Sequence, residues 1–186
     1  MDSNNQFNSD EALTIVSGPN RSGKSRWAEY LIKSKREVTY FATSCLYPDD
    51  SDWQKRISMH KKRRPRHWKI IETSTLFFEE FLKLSESETV LIDSLGGFVT
   101  YNLPLSNTKW IEIEEQFINN ITEHKGQIIV VVEEIGWGLV PVTHEANLFR
   151  DRLGNLSQLL QKYSEDSWLV LHGRAINISS NSILVP

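Results

Sequence analysis

Residues 12–25 read ALTIVSGPNRSGKS, and this stretch decides the fold. Residues 12–17 have the length and apolar character of a buried strand. The next eight, Gly18, Pro19, Asn20, Arg21, Ser22, Gly23, Lys24 and Ser25, are a full match to G-x-x-x-x-G-K-[ST]. A helix burying Trp27, Ala28 and Leu31 is expected to follow Gly23. In that strand–loop–helix setting the glycines let backbone N–H groups turn inward around phosphate oxygens, and the helix N-terminus adds its positive dipole end. Lys24 would neutralise the β- and γ-phosphates, and Ser25 would offer its hydroxyl to Mg²⁺. The motif therefore predicts a purine nucleoside triphosphate site.

Working outward, short apolar segments alternate with longer segments of helical period, the pattern of an α/β domain with a mainly parallel sheet. Further strands are expected at 38–42, 90–93, 128–132 and 168–172, several rich in Val and Ile with little polar alternation, as suits strands covered on both faces. The strongest helical pattern runs over 143–163, where Phe149, Leu153, Leu156, Leu160 and Tyr163 recur on one face; weaker ones cover 51–62, 74–84 and 108–124. The tail INISSNSILVP is expected to supply at most a final edge strand. No repeat or Pro/Gly-rich linker divides the chain, so residues 1–10 read as a disordered polar tail and 11–186 as a single nucleotide-binding catalytic domain.

Composition narrows the function class. The chain has 186 residues, 39% hydrophobic and 24% charged, which suits one globular domain. A net charge of −3 argues against a protein built to coat nucleic acid. A single cysteine, Cys45, excludes an intrachain disulfide, and the first ten residues lack the basic and apolar regions of a signal peptide. No apolar run is long enough to span a bilayer, so a cytoplasmic protein without stable membrane insertion is expected.

A metal shell needs a carboxylate at the end of a buried strand neighbouring the phosphate loop, and Asp93 closes such a strand. Glu133 and Glu134 close another, and the sequence does not apportion roles between them. Between Asp52 and Glu72 there is no acidic residue, but eight Lys and Arg side chains surround His60 and His67. One reading is a solvated basic face with a satisfied histidine. The other is a histidine nucleophile attacking phosphorus, since neighbouring cations favour neutral imidazole and stabilise charge on the phosphoryl oxygens. His60 is the candidate nucleophile and His67 the fallback.

GPNRSGKSRWAE (18–29), VTYFATS (38–44), RISMHKKRRPRHW (56–68), VVVEEIGWGLVP (130–141) and FRDRLGNLSQ (149–158), in this order, resemble the bifunctional adenosylcobinamide kinase / adenosylcobinamide-phosphate guanylyltransferase family of cobalamin synthesis. The resemblance implies a RecA-like P-loop fold, a three-layer α/β/α sandwich, and a homo-oligomer that is trimeric in some members. It implies that ATP or GTP phosphorylates the aminopropanol hydroxyl of the corrinoid adenosylcobinamide. GMP then passes from GTP through a guanylyl-histidine to give adenosylcobinamide-GDP. Carried over by position, His60 falls on the guanylylated histidine, Lys61, Lys62, Arg63 and Arg64 on its nucleotide-contacting neighbours, and Ala42, Thr43 and Ser44 beside the nucleotide. Glu72 and Asp93 fall on further guanine-nucleotide positions. The chain departs from the family at Glu133, where Asn is usual, at Val142 and Thr143, where Glu-Asn is common, at Ser157, and in SLGGFVTYNL after Asp93. These segments are expected to shape the acceptor pocket or the metal environment. Guanylyltransferase activity alone, a non-catalytic GTP-binding regulator, and a small-molecule kinase of another pathway are the competing readings.

Overall fold

A computed structural model describes residues 13–43, 58, 63–73, 76–138 and 141–185. The motif strand is β1 (Leu13–Gly18), followed by α1 (Lys24–Leu31) and β2 (Val38–Ala42). Then come β3 (Lys69–Glu72), α2 (Phe77–Phe81), β4 (Thr89–Asp93), α3 (Leu95–Tyr101) and α4 (Asn107–Glu123). The chain continues through β5 (Ile128–Glu133), α5 (His144–Gln161), β6 (Asp166–Leu171) and β7 (Arg174–Asn177). The helix expected over 51–62 lies outside the described residues apart from Ser58.

Among the described residues the strands form one seven-stranded sheet in the order β3-β2-β4-β5-β1-β6-β7, parallel throughout except for the β6–β7 hairpin. Leaving aside the edge strands β3 and β7, the loop-bearing β1 sits between β6 and β5, and β5 separates it from β4. This is the strand order of a RecA-like sheet. It refines one expectation: the strand ending in Asp93 is not the immediate neighbour of β1, because β5, ending in Glu133, intervenes.

Side chains alternate between the two faces, so each strand feeds two cores. Leu13, Ile15, Phe41, Val90, Ile92, Ile128 and Val130 pack beneath α2 to α5 with Phe77, Phe98, Phe117, Leu153, Leu156 and Leu160. Val16, Val38, Tyr40, Leu91, Ile129, Val131 and Trp168 pack on the α1 side with Ala28, Ile32 and Trp68. Helices on both faces make the three layers.

Several expectations shift. Trp27 and Leu31 are only half-buried, Tyr163 lies beyond the end of α5 and is exposed, and His172 stands in the β6–β7 turn rather than in a strand. The last strand, Arg174–Asn177, begins earlier than the Ser- and Asn-rich tail suggested. β3 and α3 had no counterpart in the periodicity. β3 is a four-residue edge strand with mostly exposed side chains, and α3 carries two poor helix formers, Gly96 and Gly97, in its first turn.

Candidate active site

Because β1 to β6 run in the same direction, their C-terminal ends meet at one edge of the sheet, where ligands bind in open α/β folds. Gly18 is in register with Glu133, Ala42 with both Glu72 and Asp93, and Asp93 with Val131. The topology thus gathers the phosphate loop, Ala42, Thr43, Glu72, Asp93 and Glu133 at one end of the domain.

The loop itself is tightly built. Gly23 caps α1 with φ of 104°, a conformation that a residue with a side chain rarely adopts. Ser22 N–H donates to Pro19 O at 3.3 Å, Lys24 Nζ to Pro19 O at 3.2 Å, and Gly173 N–H, from the β6–β7 turn, to Ser22 O at 3.0 Å. On the other side, Glu134 N–H donates to Gly18 O at 3.0 Å. Lys24 is buried and Ser25 half-buried, at the first two positions of α1. The buried Ser22 hydroxyl has no hydrogen-bond partner among the described residues.

Asp93 and Glu133 differ in environment. Asp93 accepts a hydrogen bond from the Tyr40 hydroxyl. Burial first, and then the Asp93 carboxylate, hold the Tyr40 phenol well above its ordinary value, so it stays protonated and donating. Glu133 accepts from the Ser94 hydroxyl and, at 2.9 Å, from Gly96 N–H at the start of α3. Burial pushes the Glu133 carboxyl up, and Asp93 adds to this. The Ser94 and Gly96 hydrogen bonds and Lys24 pull the other way without cancelling it.

Two glycines permit this convergence. A Cβ on Gly96 would lie 2.5 Å from the Glu133 carboxylate, and one on Gly97 would lie 2.5 Å from Thr43 Oγ1 and 2.6 Å from its carbonyl oxygen. Thr43 in turn donates to Ser94 O at 2.5 Å and accepts from Ser94 N–H at 2.7 Å.

The end of the basic segment is anchored to the phosphate-loop helix. Arg63 Nε and Nη2 donate to the two carboxylate oxygens of Glu29 at 2.5 and 2.8 Å. Arg64 lies with Nε 3.6 Å from Glu29 and its guanidinium carbon 3.5 Å from the Tyr40 ring centroid, and its Nη2 donates to the Tyr40 hydroxyl at 2.5 Å. A continuous chain of contacts thus runs from α1 through Glu29, Arg64 and Tyr40 to Asp93.

The structure therefore brings together Gly18 to Ser25, Ala42, Thr43 and Asp93. It places Glu72 exposed at the end of edge strand β3 and His67 exposed beyond Arg64. His60, Lys61, Lys62 and Ser44 lie outside the described residues. Glu29 and Tyr40 were missed by sequence reasoning. The available signal was the acidic residue ending GPNRSGKSRWAE, one helical turn after Ser25 on α1, which needs a cation when buried.

Residues 14–178 match the family described as cobinamide kinase / cobinamide phosphate guanyltransferase. The chain is 31% identical over 182 residues to a bifunctional adenosylcobalamin biosynthesis protein, CobU, of Escherichia coli, covering 89% of this chain and 99% of that one. Its counterpart in Salmonella typhimurium is also 31% identical, over 184 residues, with the same coverage. CobP of Pseudomonas aeruginosa is 31% identical over 154 residues, covering 81% of this chain and 88% of that one. The RadB recombinase superposes with a TM-score of 0.44 at 16% identity, over 85% of this chain and 73% of its own. With the phosphate loop, the acidic strand ends and the match across nearly the whole domain in place, the chain belongs to the cobinamide kinase / cobinamide phosphate guanyltransferase family.

Proposed function

We propose that the protein phosphorylates adenosylcobinamide with ATP or GTP and then transfers GMP from GTP to the phosphorylated corrinoid through a guanylyl-histidine on His60. The observation that carries this reading is the junction of a complete phosphate loop with the arginine end of the His60 segment, joined through Glu29 on the loop's own helix. His60 precedes Arg63 by three residues in sequence.

In the kinase step, backbone N–H groups of Asn20 to Ser25 and the Lys24 ammonium hold the phosphates, and the Ser22 hydroxyl, unpartnered among the described residues, supplies one further donor. Ala42 and Thr43 flank the nucleotide, with Ser44, and Glu72 lies further along the same edge. Mg²⁺ on a nucleotide keeps several waters and needs few protein ligands, so the Ser25 hydroxyl and the Asp93 carboxylate suit it; when bound, it neutralises charge on the phosphate oxygens. The Tyr40 hydroxyl fixes the orientation of the Asp93 carboxylate.

In the transfer step, the neutral His60 imidazole attacks the α-phosphorus of GTP, the P–N bond forms and pyrophosphate leaves. A phosphate oxygen of the corrinoid then attacks the same phosphorus, and the P–N bond breaks to regenerate imidazole. Lys61, Lys62, Arg63 and Arg64 supply positive charge, with Arg63 and Arg64 also tying the segment to Glu29. The same reading carries a homo-oligomer, a trimer, as the functional assembly.

Incubation with adenosylcobinamide, GTP and Mg²⁺, followed by separation of the corrinoids, tests the assignment. Phosphorylated and GDP-bearing products are expected with the wild-type chain and neither with Lys24→Ala. A corrinoid left unchanged by a folded, GTP-binding protein would reject it.

A further inference from the structure

Among its described residues, the loop that leaves β5 toward α5 carries two exposed apolar side chains, Trp137 and Val142, 62% and 102% exposed. Its two ends are fixed. Glu134 N–H binds Gly18 O at 3.0 Å, and Asn147 Nδ2 binds Pro141 O at 2.8 Å, with Thr143 capping α5 by accepting from Ala146 N–H at 3.2 Å. Trp137 stands three residues after the first tether, so its backbone lies within about 14 Å of Gly18 in the phosphate loop. It is flanked by Gly136 and Gly138, around whose Cβ positions nothing lies within 4 Å. A tryptophan left 62% exposed on a loop tethered to the phosphate loop keeps a large apolar surface in water, which is the property of a ligand platform.

The side of the loop identifies the occupant. The β6–β7 turn borders the phosphate loop at Ser22, whereas the Trp137 segment borders it at Gly18, on the side of β5 and β4 where Glu133 and Asp93 stand. Under the reading above, the Asp93 carboxylate attends the metal on the transferring phosphate, so the acceptor enters from that side. Its hydroxyl sits at the end of a short aminopropanol arm, which puts the macrocycle an arm's length from the phosphate.

We infer that Trp137, with Val142, forms the docking platform for the methyl-bearing macrocycle of the corrinoid acceptor, and so sets acceptor affinity without contributing to nucleotide binding. This rests on the proposed function for the identity of the acceptor. Trp137 stands within the stretch 130–141 that carries the family resemblance, and Val142 at the departure that follows it.

Equilibrium dialysis against cobinamide, read by its own absorbance, with parallel GTP binding, tests this on the wild-type chain, Trp137→Ala and Trp137→Phe. Cobinamide binding about tenfold weaker in Trp137→Ala and within about threefold of wild type in Trp137→Phe is expected, with GTP binding equal in all three. Equal cobinamide binding in Trp137→Ala would overturn the inference and leave the proposed function standing. Weakened GTP binding would also overturn it, assigning Trp137 to the nucleotide. A wild-type chain that binds GTP but no cobinamide would overturn both. Cobinamide binding that depends on Trp137 without any turnover would leave the platform standing and reject the proposed reaction.

Discussion

Glu29 grips Arg63 with both carboxylate oxygens, at 2.5 and 2.8 Å, while its Oε1 also lies 3.6 Å from Arg64 Nε. The two arginines differ in exposure: the Arg64 side chain is 7% exposed and that of Arg63 35%. Removing the shared acid leaves the Arg64 cation buried without its counter-charge, whereas removing Arg63 strips the buried Glu29 carboxylate of two hydrogen bonds but leaves it beside Arg64. Glu29→Gln is expected to cost about 2–4 kcal/mol in urea unfolding, and Arg63→Ala a smaller loss of about 1–2 kcal/mol. Equal losses would contradict this division.

Gly97 meets the Thr43 backbone, which cannot swing aside as a side-chain tip can. Gly97→Ala is expected to destabilise by about 1–3 kcal/mol, with a smaller loss for Gly96→Ala, whose new methyl group meets the movable Glu133 carboxylate. Gly154, exposed within α5 and with nothing within 4 Å of its Cβ position, gives the opposite sign. There, Ala is expected to stabilise by about 0.5–1 kcal/mol. Thermal unfolding of the three variants would decide it, and a destabilising Gly154→Ala would count against the packing described.

Much of this was legible in the sequence because it is carried by local pattern. The strand–loop–helix around Gly18 to Ser25, the apolar strands ending in Asp93 and Glu133, and the Leu153–Leu156–Leu160 stripe follow from spacing alone. What was not legible depends on distant partners. Leu95–Tyr101 had no helical period to announce it, and Gly96 and Gly97 lower its helix propensity, yet those glycines are what let Thr43 and Glu133 approach a helix. Likewise, Tyr40 looks like an ordinary core aromatic until β2 and β4 are paired and its hydroxyl meets Asp93. The intervening β5 also could not be read from periodicity, since strand order is set by crossovers.

Glu133 should make stability depend on pH. Its carboxyl is held above the ordinary glutamate value of 4.5, chiefly by burial, so the native state binds its proton more tightly than the unfolded chain. Its contribution is then most favourable in acid and is lost as pH rises from about 4.5 through the native value. Glu133→Gln removes this loss. Its stability relative to wild type is expected to increase as pH rises through that window and to level off above it, measured by urea unfolding across the range. A pH-independent difference would contradict the assignment of burial as the dominant cause.

The covalent step is the centre of the account. The protein should be incubated with Mg²⁺ and GTP labelled on the α-phosphate, denatured, and examined for bound label, alongside His60→Ala. The account predicts label that survives base, is released by acid, and is lost in the His60 variant. Absence of label from a folded, GTP-binding wild-type chain, or full labelling of His60→Ala, would contradict it.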